Sequence, residues 1–350
     1  MKRVLIVKPS SMGDILHAFP AVNAFLGAYP EAAADWVVAP QFAELLDYVP
    51  RVERRILFRR KELGGFFSFA PAFFTLLREL RKVRYDAVLD LQGLMRSAVV
   101  GRLARADLYC GSGETREFFA RLCYTKRIGI PEGISHAVDR NCALVRGIPG
   151  ITDVSGEYLL PVVEKHRAAA LELLKKHGFR TEAPFAVVCP GARWDTKQWP
   201  GSFFAEVIGR MEEERPELSF VLLGAPSEKE LGAEVVRHLK RKENTVDLTG
   251  LTGIGSLIEV IRMASVMICN DSGPMHAAAS AGTPVAALFG PTDPELTGPY
   301  CREKRVFQPD LDCIRCFRKS CDRGYCHTSV DPATVATGAL ELFDHRRKQP

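Results

Sequence analysis

Short apolar runs alternate along this chain with segments whose apolar residues return every three or four positions. Runs of strand length fall at 4–7, 35–38, 55–58 and 87–91 in the first half, and at 185–189, 220–223, 246–248, 266–269 and 285–289 in the second. Between them, helical periodicity covers 14–28, 41–48, 71–83, 95–105, 116–123 and 136–147, then 165–177, 201–214, 227–241, 255–264 and 274–281. Short apolar strands alternating with amphipathic helices predict an α/β fold whose parallel sheets are covered on both faces. The turn-rich stretch "GIPGITDVSGEYLLP" predicts a boundary near 150–163. The pattern therefore divides into domains at 1–160 and 161–330, with a C-terminal element at 331–350 expected to pack back on the first domain. Asp331 suits the cap, and Pro332 the first turn, of a last helix over 332–347.

Composition narrows the class. The 350 residues are 47% hydrophobic and 25% charged, the balance of a folded protein with sizeable cores. Lys2 and Arg3 precede only four strongly apolar residues, too few for a signal peptide. No stretch approaches the ~18 apolar residues of a membrane span, so a cytoplasmic location is expected. The net charge of +5 is unevenly spread: residues 1–160 hold 22 Lys and Arg against 17 Asp and Glu, whereas 161–350 hold 25 of each. Within the first half, 51–84 holds 10 basic and 3 acidic side chains. This bias fits an acidic partner or a solvated basic face. No recognised nucleic-acid-binding motif accompanies it, so nucleic acid is not expected as a partner.

Candidate chemistry gathers where strands run into loops, the ends at which open α/β sheets bind ligands. In "KPSSMGD" (8–14), the first strand stops on a small polar turn that yields to a helix. Asp14 there reads either as a helix cap or as a chemical group. In "VMICNDSGPMHAAASAGTPVAALFGPTDP" (266–294), a strand runs into Asn270, Asp271, Ser272 and Gly273 before a small-residue helix, with His276 in its first turn. A helix N-terminus offers unpaired N–H groups and the positive end of a dipole to a phosphate. The plain alternative makes Asp271 a cap and His276 a surface residue. In "VVCPGARWDTKQWP" (187–200), Arg193 and Lys197 sit on a loop at a strand end, suited to neutralising a pyrophosphate or to a solvated basic loop. In "LLGAPSEKE" (222–230), Glu228 suits ribose hydroxyls or the first turn of a helix. Dinucleotide and P-loop patterns fail: "GSGETR" lacks the third glycine, "GLTGIGSL" lacks the pattern, and no G-x-x-x-x-G-K-[ST] occurs.

Together, "SSMGD", "TKQWP" and "NDSGPMHAAASAGTPVAALFGPTDP" resemble the glycosyltransferase family 9 heptosyltransferases of lipopolysaccharide core synthesis, over nearly the whole chain. "DLQGLMRSA" (90–98), "TREFFARLCY" (115–124) and "HAVDRN" (136–141) are most similar to the heptosyltransferase I branch. The resemblance implies a GT-B fold: two Rossmann-like domains with parallel sheets facing an inter-domain cleft. It implies an inverting enzyme, with no cofactor or obligatory metal, that moves heptose from ADP-L-glycero-β-D-manno-heptose. The acceptor it implies is a Kdo-bearing lipid A precursor. The nucleotide sugar would sit mainly on the second domain and the acceptor on the first. By the same resemblance Asp14 is the catalytic base, Lys197 the donor-phosphate lysine and Glu228 the ribose carboxylate. Asp271, Ser272, Gly273 and His276 form the donor loop, and Leu251 joins the donor residues. The pattern departs at Ala192 and Arg193, where heptosyltransferase I has two threonines; backbone contacts survive such a change better than side-chain contacts. Ser10, Ser11 and Gly13 are small enough to let a bulky sugar approach Asp14.

Two segments remain. "RRKELGGFFSFAPAFFTLLRELRKVR" carries Phe66, Phe67, Phe69, Phe73 and Phe74 between basic residues. It reads as a surface meeting an anionic lipid headgroup at the inner face of the inner membrane, or as a core helix with a basic face. Arg59, Arg60 and Lys61, with Arg116 and Arg140, are the candidate contacts to an acceptor's phosphate and carboxylate groups. The second, "CIRCFRKSCDRGYC", spaces Cys313, Cys316, Cys321 and Cys326 as C-x2-C-x4-C-x4-C, with His327 adjacent. Zinc, reduced thiols or a local disulfide all fit that spacing, although two C-x2-C knuckles are usual for a ribbon and a cytoplasmic setting disfavours disulfides. Competing functions are another family 9 transferase, such as heptosyltransferase II or III or one using a different nucleotide sugar, and a noncatalytic nucleotide- or lipid-binding module.

Overall fold

The computed structural model describes residues 1–65, 68–115, 117–152, 154–323, 326 and 328–347. Phe66, Phe67, Arg116 and His327, singled out in the sequence, lie outside the described residues. The chain divides into two compact units, 1–158 and 159–350.

The first unit contains strands β1 (Arg3–Val7), β2 (Ala33–Val38), β3 (Val52–Leu57), β4 (Arg84–Asp90), β5 (Arg105–Ser112) and β6 (Lys126–Ile128). Its helices are α1 (Met12–Leu16), α2 (Phe19–Ala28), α3 (Phe69–Leu80), α4 (Met95–Leu103) and α5 (Ala137–Arg146). The strands form one parallel sheet in the order β3-β2-β1-β4-β5-β6. Val4, Leu5, Ile6 and Val7 are fully buried, which is why β1 reads as an unbroken apolar run: both faces are covered. One face packs Leu76 and Leu80 of α3, Ala98 and Val100 of α4, and Ala120 against the sheet. Helices α2 and α5 pack together.

The second unit repeats the winding. Its strands are β7 (Phe185–Cys189), β8 (Ser219–Leu222), β9 (Thr245–Asp247), β10 (Val266–Asn270), β11 (Val285–Leu288) and β12 (Lys304–Phe307). Its helices are α6 (Glu164–Lys176), α7 (Gly201–Glu214), α8 (Lys229–His238), α9 (Ile254–Met263), α10 (Gly273–Ala281), the short α11 (Pro294–Thr297) and α12 (Pro332–Arg347). The parallel order is β12-β11-β10-β7-β8-β9. Each sheet therefore reverses its winding once, between β1 and β4 in the first and between β7 and β10 in the second. The expected C-terminal helix is present as α12. Val335, Ala336, Ala339, Leu342 and Phe343 of α12 belong to the second unit's core, against α7 and the sheet.

Other differences have local causes. The helix expected over 14–28 is two, α1 and α2, because Pro20 lacks the N–H that would continue the first but fits the opening turn of the second. The segments expected as helices at 41–48 and 116–123 are 3-10 turns, Pro40–Tyr48 and Phe118–Cys123. Strands β5, β6 and β12 were not legible as apolar runs. β5 opens on exposed Arg105 and Asp107, β6 has three residues and β12 begins with exposed Lys304 and Arg305, a charge pattern common at sheet edges.

Candidate functional site

At the first sheet's switch point, β1 ends in the 8–14 loop. Asp14 Oδ2 accepts hydrogen bonds from the Ser11 backbone N–H at 2.9 Å and from Ser11 Oγ at 2.7 Å. The carboxylate therefore does cap α1, and the same two bonds fix its orientation while leaving the residue partly exposed. Gly13 is buried, and Ser10 and Ser11 are half-buried. Behind them Lys8 is buried, with Nζ donating to the Leu91 carbonyl at 2.6 Å. Burial lowers the Lys8 pKa, while the nearby charges of Asp14 and Asp90 act to raise it.

Asp90, at the end of β4, accepts from the Gln92 and Gly93 N–H groups at 2.9 and 3.1 Å, from Ser97 Oγ at 2.9 Å and from Tyr124 O–H at 2.8 Å. Burial raises its pKa against these four bonds. This one side chain ties "DLQGLMRSA" to "TREFFARLCY". The third first-domain motif joins α1: Asn141 Nδ2 donates to the His17 carbonyl at 3.0 Å, and the His17 and His136 rings lie 5.5 Å apart. The cations are looser. Arg59, Arg60 and Lys61 are exposed just beyond β3, Arg59 reaching Glu62 at 3.4 Å. Arg140, near the start of α5, reaches Glu114 at 3.4 Å and the Ile134 carbonyl at the same distance.

At the second sheet's switch point the loops after β7 and β10 are locked together. Asn270, fully buried, donates through Nδ2 to the Pro190 carbonyl at 2.7 Å and accepts from the Trp199 N–H at 3.3 Å. Lys197 Nζ then meets Asp271 Oδ2 at 2.6 Å, and Thr292 Oγ1 donates to that oxygen at 2.6 Å. The ammonium also lies 4.6 Å from the Trp194 ring centroid. Ser272 caps α10, and its buried Oγ has no hydrogen-bond partner. An orphaned hydroxyl therefore stands at the N-terminus of a nine-residue helix, next in the chain to the Asp271 that holds the Lys197 ammonium; helix N-termini in general attract anions. His276 is buried in the first turns of α10.

Glu228 occupies a seat made by glycines. Its Oε2 accepts from the Ala225 N–H at 2.7 Å. A Cβ on Gly191 would stand 2.2 Å from the Glu228 carboxyl carbon, and one on Gly224 would stand 2.9 Å from Oε2. The glycines in "CPGAR" and "LLGAP" are thus required by one carboxylate. Gly250, at φ +77°, donates to the Gly224 carbonyl at 2.9 Å and brings exposed Leu251 beside this loop. Ala192 is buried and its carbonyl accepts from Gln198 at 2.8 Å, whereas Arg193 is exposed.

Among the described residues no three His, Cys, Asp or Glu side chains form a group that could hold a metal ion. Within the segment Cys316 is exposed, Cys313 and Cys321 are half-buried and Cys326 is buried. Burial, and then the neighbouring thiols, raise the Cys326 pKa. The segment's backbone is tied to the 196 and 291 loops, through Thr196 Oγ1 to the Arg318 carbonyl at 2.7 Å and the Phe317 N–H to the Pro291 carbonyl at 2.8 Å.

The sequence reading missed Lys8, Asp90, Asn270 and Thr292. All four lie inside stretches it had quoted, but their partners are distant in sequence: Lys8 and Leu91 are 83 positions apart, and Asn270 and Pro190 are 80 apart.

Two parallel doubly wound sheets, each carrying polar loops at its switch point, form the GT-B architecture of nucleotide-sugar glycosyltransferases. The family model for glycosyltransferase family 9 (heptosyltransferase) matches residues 73–327. Lipopolysaccharide heptosyltransferase 1 of Pseudomonas aeruginosa is 31% identical over 99% of this chain and 92% of its own length. The solved structure of E. coli heptosyltransferase WaaC with ADP superposes with a TM-score of 0.78 at 28% identity, covering 97% of this chain and 99% of that one. WaaC with ADP-2-deoxy-2-fluoro heptose gives 0.75 at 28% identity, covering 99% of each. The chain belongs to glycosyltransferase family 9, the heptosyltransferases, and is a heptosyltransferase I-like transferase.

Proposed function

We propose that this enzyme transfers L-glycero-D-manno-heptose from ADP-heptose to a hydroxyl of a Kdo-bearing lipid A acceptor, with inversion, in lipopolysaccharide inner-core synthesis. The observation that carries the donor half is Lys197, held by Asp271 beside the orphaned Ser272 Oγ and the N-terminus of α10. The ligands of the two WaaC structures, ADP and ADP-2-deoxy-2-fluoro heptose, support the same donor here. In this reading the diphosphate lies on Ser272, Gly273 and Lys197, near His276, with Ala192 and Arg193 on the flanking loop. Glu228 accepts from the ribose hydroxyls, and exposed Leu251 offers an apolar contact to the base.

Asp14 takes the proton of the acceptor hydroxyl as its oxygen attacks the anomeric carbon. The bond from that carbon to the diphosphate oxygen breaks, and ADP leaves with the electron pair. Lys197 and the N–H groups at Gly273 oppose the growing negative charge. Both Ser11 bonds go to Oδ2, which holds the base in one rotamer. Arg59, Arg60, Lys61, Arg116 and Arg140 are the proposed contacts to the acceptor's anionic groups, with Ser10, Ser11 and Gly13 against the sugar. Among the described residues no helix is long and apolar enough to cross a membrane. Access to a lipid-borne acceptor is therefore proposed through peripheral contact with an anionic membrane surface.

Incubating the purified chain with ADP-heptose, with and without a Kdo-lipid A acceptor, tests the reading. It predicts ADP release that requires the acceptor and a product heavier by one heptosyl group. A chain that forms no heptosylated product under these conditions contradicts it.

A further inference from the structure

The function proposed above leaves the cysteine-rich segment without a role, yet this segment is pinned to the donor loops. The Phe317 N–H donates to the Pro291 carbonyl at 2.8 Å, in the loop after β11. Thr196, buried in the loop after β7, donates from Oγ1 to the Arg318 carbonyl at 2.7 Å. Arg315 reaches Asp293 at 3.3 Å. Arg315 and Phe317 take φ values of +61° and +55°, a left-handed conformation that is unfavourable for a non-glycine residue and persists where surrounding contacts fix it.

The consequence of this pinning is the position of Lys319. Its Nζ lies 5.6 Å from the Trp194 ring centroid, on the same indole that has Lys197 Nζ at 4.6 Å. The two ammonium groups differ in their electrostatics. Lys197 is matched by Asp271 at 2.6 Å. Lys319 is exposed and, among the described residues, makes no ion pair. An unmatched cation held beside a matched one, at the strand ends where Ser272 Oγ is buried without a partner, leaves net positive charge for a ligand of more than one negative charge.

We infer that Lys319 is a second cation for the donor's diphosphate, and that the cysteine-rich segment is the strap that holds it there. The inference rests on the nucleotide-sugar reading of the second unit. Under it, Lys197 and Lys319 approach the diphosphate from one aromatic platform, and the segment is part of the donor site.

The test is calorimetric titration of the full chain with ADP and, separately, with adenosine, which shares the base and ribose but carries no phosphate. Lys319→Ala is expected to weaken ADP about 3–10-fold and leave adenosine unchanged. Lys319→Arg is expected to restore the wild-type preference for ADP over adenosine. Unchanged ADP affinity in Lys319→Ala overturns the inference. So does a parallel loss for ADP and adenosine, since that marks a general disturbance of the loop. A wild-type chain that binds no ADP overturns the donor reading itself, a failure distinct from either result on the variant.

Discussion

At the switch point of the first sheet an ammonium and two carboxylates lie within electrostatic reach of one another. Lys8 is buried and its Nζ donates to the Leu91 carbonyl; burial lowers its pKa, while the charges of Asp14 and Asp90 act to raise it. A cation beside a general base favours the base's carboxylate form. Removing that cation makes the carboxylate easier to protonate, so activity is lost at a higher pH as the solution is acidified. Lys8→Met is therefore expected to move the acidic limb of the kcat/KM profile upward by about one pH unit. An unmoved limb contradicts a charged Lys8 next to the base. The type of Lys8 was legible in "KPSSMGD", but its burial was not, because the groups around it come from β1, the start of α1 and the end of β4. Asp14 was legible in both of its readings, and the structure joins them: the bonds that cap α1 also orient the carboxylate.

Among the elements, strands covered on both faces were the most legible. β1, β7 and β10 are almost wholly apolar and buried, so the sequence betrays them and the loops that follow. β5, β6 and β12 were missed because charged, exposed positions break their apolar runs. The helix packing was legible only in part, since the buried stripe of α12 does not reveal which core it enters. Local glycines carried more than they seemed to. Gly191 and Gly224 leave the volume that the Glu228 carboxylate fills. In Gly191→Ala the new methyl group meets the far end of a flexible side chain, so Glu228 moves while the backbone keeps its course. The variant should keep a wild-type melting profile yet bind ADP about 10-fold more weakly, the cost of about one charge-assisted hydrogen bond. Wild-type ADP affinity in Gly191→Ala would remove Glu228 from the ribose.

Across the whole molecule, exposed apolar side chains cluster in the first unit, whose charge is also the more basic. Phe69 and Phe74 on α3, Met95 and Val99 on α4, and Phe118, Phe119 and Leu122 on the 3-10 turn are all exposed. These three segments cover the same core beneath them. Isolated exposed apolar residues are ordinary, but a helical layer carrying seven of them beside Arg59, Arg60 and Lys61 suits an anionic lipid surface. A Phe118→Ser, Phe119→Ser, Leu122→Ser triple variant should sediment less with phosphatidylglycerol vesicles than the wild type, and retain its activity on a detergent-dispersed acceptor. Equal sedimentation of the two proteins would move the membrane contact elsewhere. The central claim divides labour between two sheets, with the base on one and the donor site on the other, and Asp14→Asn tests that division most directly. Asparagine keeps the side-chain shape and an oxygen to accept from Ser11. Single-turnover heptosyl transfer should fall by about 10²–10⁴-fold, while ADP affinity measured on the same preparation stays at the wild-type value. Transfer at the wild-type rate would contradict the account.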